Sequence, residues 1–368
     1  MFNNLKFLTD TIRFSVFRKR NPGGGGALFV RPDNIGDFAI WAPFASSHIG
    51  QLKTLGIKTT LLCKSAIAEL AKTLLRVDEI ICFDQQQYLK NPSPLLKHIA
   101  DSHFDMLFAP RVSREFKTDD MIAIAAGAKI SYAVDCPDYQ INPLVQKISS
   151  RRYKKLFHLK YSGELSAAAE FHQLPPSLEP GQILHSLPRL PGLSGEYIVL
   201  FPGAADKFRC IDPSTFAAVS DAVSKTHPDL TTVICGSESE VALSRKIVEL
   251  LECRTINLTG KTTLLQAAAL IAHAKTVIGN ESGAIHLAAL ANVPALCAAG
   301  FGHFNRFVPY PLCSHITPPV TVTADGLWEC RNCNWRCSRP NADETLPCIK
   351  NITSDKLVEA TLQILDRK

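Results

Sequence analysis

The chain has 368 residues, 46% of them hydrophobic, 20% charged and 8% aromatic, enough apolar material for two cores of domain size and too much for disorder or a coiled coil. Forty Lys and Arg against 34 Asp and Glu give a net charge of +6, a mild excess that favours nucleotide or lipid phosphate and falls short of the concentrated basic stripe of a nucleic-acid binder. No apolar run reaches the roughly 18 residues needed to span a bilayer, so a transmembrane helix is not expected.

The first 20 residues mix Phe2, Leu5, Phe7, Leu8, Ile12, Phe14, Val16 and Phe17 with Lys6, Arg13, Arg18, Lys19 and Arg20. They lack the unbroken apolar core and small-residue cleavage site of a signal peptide, which predicts a cytoplasmic protein. Two readings of this segment stay open: a basic amphipathic helix lying on an anionic membrane surface, or a helix packed on its own domain. Beyond the glycine run a short strand, Ala27 to Val30, leads through Arg31-Pro32-Asp33-Asn34-Ile35-Gly36-Asp37 into a helix over Phe38 to Ser47. The alternation recurs at Thr59 to Leu62 with a helix over Ala66 to Leu75, at Glu79 to Cys82, at Met106 to Phe108 before a buried Ala-rich helix at Met121 to Ala126, and at Ile130 to Tyr132. Alternating short strands and helices predict a parallel sheet covered on both faces.

From about His172 to Glu196, five prolines (Pro175, Pro176, Pro180, Pro188, Pro191) and Gly181, Gly192 and Gly195 predict an interdomain linker without regular structure. A second alternation follows, with strands at Tyr197 to Leu200, Thr231 to Ile234 and Thr276 to Gly279 and helices at Pro213 to Lys225, Glu238 to Leu251, Thr263 to His273 and Ala284 to Ala291. The expected fold is α/β, two Rossmann-like halves with mostly parallel sheets. The N-terminal domain takes residues 1–180 and the C-terminal domain 181–368, which holds a Cys-rich segment at 330–348. The closing amphipathic helix, Ser354 to Asp366, is free to pack back on the N-terminal domain.

Asn280-Glu281-Ser282-Gly283 ends a strand and opens a helix, so its N–H groups lie at the positive end of a helix dipole and form an anion site. The alternative is that Ser282 simply caps the helix and Gly283 relieves crowding. Another strand of this half runs into Phe201-Pro202-Gly203-Ala204-Ala205-Asp206-Lys207-Phe208-Arg209. Ligands of parallel sheets lie at the carboxyl ends of the strands, so the two loops should converge. Lys207 and the helix N-terminus would then hold a diphosphate, and Glu240 would accept hydrogen bonds from a ribose; each charge also reads as a solvated surface group. Leu258-Thr259-Gly260-Lys261-Thr262-Thr263 ends like a P-loop, but the first glycine of that motif falls at Thr255, which excludes an NTPase cradle. Asp37 serves either as a base at the crevice between domains or as the N-cap of the following helix.

Of 12 cysteines, eight are scattered, most in apolar or strand-like settings, and read as small buried hydrophobes. Cys330, Cys333, Cys337 and Cys348 form a C-x2-C-x3-C-x10-C cluster. Its spacing and count suit a tetrahedral all-thiolate metal site, zinc first and iron second, with Trp335 available to cover it. Four thiolates leave no open coordination position, so such a site would be structural. Ordinary buried or free thiols are the alternative.

Four ordered stretches resemble the signatures of glycosyltransferase family 9: Arg31-x-Asp33-Asn34-Ile35-Gly36-Asp37, Pro202-Gly203-Ala204-x-Asp206-Lys207-x-Arg209, Leu258-Thr259-Gly260-Lys261-Thr262-Thr263-Leu264 and Gly279-Asn280-Glu281-Ser282-Gly283-x-x-His286-Leu287-Ala288. The best-known members of that family are ADP-heptose:lipopolysaccharide heptosyltransferases, and the late cluster ending Pro347-Cys348-Ile349 resembles a feature of many members. The resemblance implies a GT-B architecture, two facing Rossmann-like domains with an interdomain cleft, and an inverting transfer of heptose from ADP-heptose to a hydroxyl without a catalytic metal.

On that resemblance Asp37 matches the catalytic carboxylate, a general base for the acceptor hydroxyl. Lys207 and the amides at Ser282 and Gly283 would stabilise charge growing on the diphosphate. Gly36, Gly203, Ala204, Glu240, Thr262, Glu281 and His286 complete the implied nucleotide-sugar site. The family commonly has Asp where this chain has Glu281, and the extra methylene shifts the carboxylate by about one carbon–carbon bond, which leaves open another sugar nucleotide. The implied acceptor is the lipopolysaccharide inner core, with the basic N-terminal segment as a peripheral contact to the inner membrane and no nucleic-acid partner. Two competing functions are the same chemistry on a protein serine or threonine and a non-catalytic, metal-stabilised nucleotide-binding module.

Overall fold

The computed structural model describes residues 25–135, 147, 150, 151, 153–158, 163–311, 316–338 and 345–367, so the basic N-terminal segment lies outside the described residues. Contacts divide the chain into two compact units, one of Met1–Asn34, Phe44–Ser162 and Ser166–Pro176, the other of Ile35–Pro43, Gly163–Leu165 and Ser177–Lys368.

In the first unit β1 (Ala27–Arg31), β2 (Thr59–Lys64), β3 (Glu79–Phe83), β4 (Met106–Ala109), β5 (Ile130–Val134) and β6 (Lys155–Phe157) form one sheet. Their order is β3-β2-β1-β4-β5-β6 and each neighbouring pair is parallel. The central strand β1 is buried along its whole length, as expected of a parallel sheet covered on both faces. Leu28, Val30, Leu62 and Leu107 of the sheet share a core with Leu96 and Ile99 of the helix Ser93–Asp101 and with Ile122 of the helix Met121–Ala126.

In the second unit β7 (Tyr197–Phe201), β8 (Thr231–Ile234), β9 (Thr255–Asn257), β10 (Thr276–Asn280), β11 (Ala295–Ala298) and β12 (Val320–Val322) repeat the pattern in the order β12-β11-β10-β7-β8-β9, again all parallel. Ile198, Leu200, Ile234, Ile278 and Leu296 pack with Phe216, Val219 and Val223 of the helix Pro213–Thr226 and with Leu357 and Ile364 of the closing helix Ser354–Leu365. That closing helix rests on Pro213–Thr226 and on β10, β11 and β12 of its own unit.

The expected linker is corrected: it contains the helix Glu179–Ser186, and the helix Glu164–His172 runs up to its start. Pro180 falls in the first turn of its helix, where a missing N–H costs nothing. Among the described residues no helix is long and apolar enough to cross a membrane. Each sheet reverses its strand order once, between β1 and β4 in the first and between β7 and β10 in the second, and such reversals open a crevice at the carboxyl ends of the strands.

Candidate functional site

At the reversal in the second sheet, the loop after β7 and the turn after β10 are tied together. Asn280, the fully buried last residue of β10, accepts the Ile211 N–H at Oδ1 (3.0 Å) and donates from Nδ2 to the Pro202 carbonyl (2.6 Å). Arg209 Nη2 donates to the Glu281 carbonyl (3.2 Å) and to its Oε1 (3.0 Å). The predicted convergence of the two loops is therefore present. Ser282 occupies the cap position of the helix Gly283–Leu290, but its hydroxyl makes no capping bond. The capping alternative is thus not what the side chain does, and the helix presents its positive end at this turn.

Charge at this point is unevenly matched. Glu281 is buried, and burial pushes its carboxyl up to about 7 against the pull of Arg209 and Arg306. Lys207 lies exposed in the short turn Lys207–Arg209, without an ion pair among the described residues. Lys207 and Arg209 together outnumber Asp206 in this loop, which lies beside the helix N-terminus, a combination suited to a diphosphate.

Beyond β8 the backbone of Gly203 approaches Glu240 so closely that a Cβ there would fall on Oε1. Oε2 of Glu240 accepts the N–H (2.5 Å) and hydroxyl (2.9 Å) of Ser237. One oxygen is committed to that turn and the other faces Gly203, within reach of the loop that carries the half-buried Ala204. Thr262 Oγ1 lies 3.4 Å from Cys235 Sγ, just past β8. Lys261 donates to the Asn257 carbonyl (2.9 Å) and Thr263 caps the next helix together with Gln266, local duties that agree with the rejection of a P-loop.

The expected helix at Phe38 begins earlier, at Ile35, and runs to Thr54. Asn34 takes the cap position, so Asp37 is not an N-cap: it stands in the first turn, where the helix dipole favours its negative charge. Ile35–Pro43 belongs by contacts to the second unit, and two glycines permit the approach. A Cβ on Gly36 would come within 2.8 Å of His286 Cδ2, and one on Gly283 within 2.9 Å of Ile35 Cβ. His286 pairs through Nδ1 with the Tyr310 hydroxyl (2.7 Å), and burial lowers its pKa to about 3, so it is neutral. Gly36, Gly283 and His286 are thus brought together, with Asp37 next in the chain.

Several contributors escaped the sequence reading. Arg209 was visible only as part of a motif, and its partner Trp335, whose ring centroid lies 4.5 Å from the guanidinium carbon, is too distant in sequence for any local pattern. At the reversal in the first sheet, Asp33 is held by Arg31 (2.9 Å) and Arg111 (2.7 Å), and Arg111 also holds Asp119 (2.9 Å). Its half-buried guanidinium is kept firmly charged by Asp119, Asp33 and Glu115 despite the cost of burial.

Burial raises the Cys348 thiol, with further contributions from Cys333, Cys337 and Cys330, so the four cysteines share one neighbourhood. Among the described residues no three His, Cys, Asp or Glu side chains close into a metal cage. Residues 339–344, between the third and fourth cysteines, lie outside the described residues.

Residues 146–309 match glycosyltransferase family 9 (heptosyltransferase). Lipopolysaccharide heptosyltransferase 3 of Escherichia coli is 31% identical over 112 residues, which cover 30% of this chain and 32% of that protein, so the match spans about a third of that curated relative. A glycosyltransferase family 9 structure from Veillonella parvula superposes with a TM-score of 0.69 at 17% identity, over 93% of this chain and 98% of that one. Over residues 146–309 this chain is similar to glycosyltransferase family 9. A second solved structure, E. coli ADP-heptose lps heptosyltransferase II, gives a TM-score of 0.64 at 17% identity over 92% and 98% of the two chains. The fold is accordingly the α/β GT-B type with two Rossmann-like units. The span matched to family 9 contains Lys207, Arg209 and the turn Glu281–Gly283, whereas Asp37 and the cysteine segment fall outside it.

Proposed function

We propose that this chain is a glycosyltransferase that moves heptose from ADP-heptose to a hydroxyl of the lipopolysaccharide inner core, on the cytoplasmic side of the inner membrane. The observation that carries the reading is the reversal in the second sheet, where exposed Lys207, the Arg209–Glu281 pair and the N-terminus of Gly283–Leu290 meet. The relatives' names supply the sugar and the acceptor.

In this reading the diphosphate lies against Lys207 and the amides at Ser282 and Gly283, with Gly203 and Ala204 allowing close backbone approach. Glu240 and Thr262 receive the nucleoside. Glu281 faces the sugar, and Gly36 and His286 shape the entry beside Asp37. The Asp37 carboxylate takes the proton of the acceptor hydroxyl as that oxygen attacks the anomeric carbon. The bond from the anomeric carbon to the diphosphate oxygen breaks, its electron pair leaves with ADP, and the configuration inverts. Lys207 and the helix dipole stabilise the charge gathering on ADP, the task a divalent cation performs elsewhere. The basic N-terminal segment supplies a peripheral contact with anionic lipid.

The first test is binding: ADP should raise the melting temperature where UDP and GDP do not, and equal shifts for all three would remove the ADP donor. Asp37→Asn should abolish transfer while ADP affinity stays near wild type; retained turnover would take Asp37 out of the mechanism. The C-x2-C-x3-C-x10-C spacing of Cys330, Cys333, Cys337 and Cys348 suits a structural zinc or iron, although their side chains do not close into a cage among the described residues. Elemental analysis should find about one metal per chain, and a metal-free, fully folded preparation would refute the cluster.

A further inference from the structure

Trp335 stands in the cysteine segment with a left-handed backbone (φ 60°), as do its neighbours Asn334 (51°) and Asn332 (59°). A bulky residue rarely adopts that conformation unless its surroundings impose it. They do so here. The indole lies on Gly302, where a Cβ would run into the ring, and a Cβ on Gly300 would come within 3.1 Å of Cζ3. Trp335 Nε1 donates to His303 Nδ1 (3.2 Å), His303 Nε2 meets Asn334 Oδ1 (2.7 Å), and the Asn334 N–H donates to the Gly302 carbonyl (3.0 Å).

Against this anchored ring lies the guanidinium of Arg209. Its Nη2 is engaged twice by Glu281, while its Nε is shut off from solvent and has no hydrogen-bond acceptor among the described residues. An arginine whose Nη2 is already committed to the Glu281 carbonyl and Oε1 is poorly placed to grip a phosphate. The Glu281 carboxyl that Arg209 holds is instead an acceptor of the kind a sugar hydroxyl satisfies.

We propose that Trp335 is a positioning residue for the donor sugar: by stacking on Arg209 it fixes the guanidinium so that Nη2 stays on Glu281 and holds that carboxyl toward a hydroxyl of the bound sugar. This rests on the donor-site reading above, and it makes the cysteine segment part of that site.

The test uses the full chain with Trp335→Leu and Trp335→Phe. With ADP-heptose as probe, Trp335→Leu should raise KM about tenfold while ADP affinity stays within about twofold, because only the sugar contact is lost. Trp335→Phe keeps an aromatic face under Arg209 and should restore most of the loss. An unchanged KM, or an equal loss for ADP and ADP-heptose, would overturn the proposal. A wild-type chain that binds neither compound refutes the donor reading itself. The relay is then decided by ligand-free melts of Trp335→Leu, Glu281→Gln and the double variant. Shifts that fail to add support coupling through Arg209, and additive shifts refute it.

Discussion

The two sheets share one strand order, yet the points where that order reverses carry opposite chemistry. In the first unit, Arg31, Arg111, Asp33 and Asp119 close on one another, and Arg31 also donates to the Pro110 carbonyl (3.1 Å). Nearby, buried Arg114 pairs with Asp120, which also accepts the Tyr153 hydroxyl (2.7 Å). Positive and negative groups cancel, and the loop that runs on into the helix bearing Asp37 is fastened. In the second unit, one carboxyl meets one arginine, while a lysine and a helix N-terminus are left over. Topology gives the same reversal in both places; the side chains decide how far its charges are neutralised internally.

The strongest way to break this contrast is Arg111→Leu, which takes from buried Asp119 its cation, leaving it the Glu115 N–H and the Thr118 hydroxyl, and leaves Asp33 with Arg31 alone as ion partner among the described residues. Loss of a buried ion-pair partner should cost about 3–5 kcal/mol. Chemical denaturation reads it, and a change under about 1 kcal/mol would mean that the network is incidental. Lys207→Ala should do the reverse, leaving stability within about 0.5 kcal/mol while weakening ADP binding and slowing transfer about tenfold each; unchanged kinetics would place Lys207 outside the site. A pH-dependent effect concerns Glu281, whose folded pKa of about 7 lies above its ordinary 4.5. An acid raised on folding gives stability that is complete below about 4.5 and lost as pH rises to about 7. Glu281→Gln should therefore gain on the wild type across that interval and run parallel to it outside. Melting curves with the same pH slope in both proteins would show that the buried acid does not titrate.

Much of this was legible in the chain, and the exceptions have physical reasons. The strands at Thr231–Ile234 and the helix at Met121–Ala126 fall where periodicity put them, because buried parallel strands and Ala-rich helices are locally consistent. The start of the Asp37 helix was placed too late. Gly36 and Asp37 are poor helix formers in an interior, yet a first turn tolerates them, and its dipole favours the acid. Proline near residue 180 suggested a break but opens a helix. Strands β9 and β12 have three residues each, too few to establish a period. The convergence of the loops after β7 and β10 followed from topology, but the stacking of Arg209 on Trp335 did not, since nothing local in either sequence neighbourhood anticipates the other.

Asn280 carries one last consequence. Its amide uses both ends at once, an acceptor toward Ile211 and a donor toward Pro202. Aspartate would lack the donor and leucine would lack both. Anyone grafting a different substrate preference onto this protein would have to move residues 202–211 and position 280 as one cassette, because exchanging either piece alone leaves the other with unmet backbone groups.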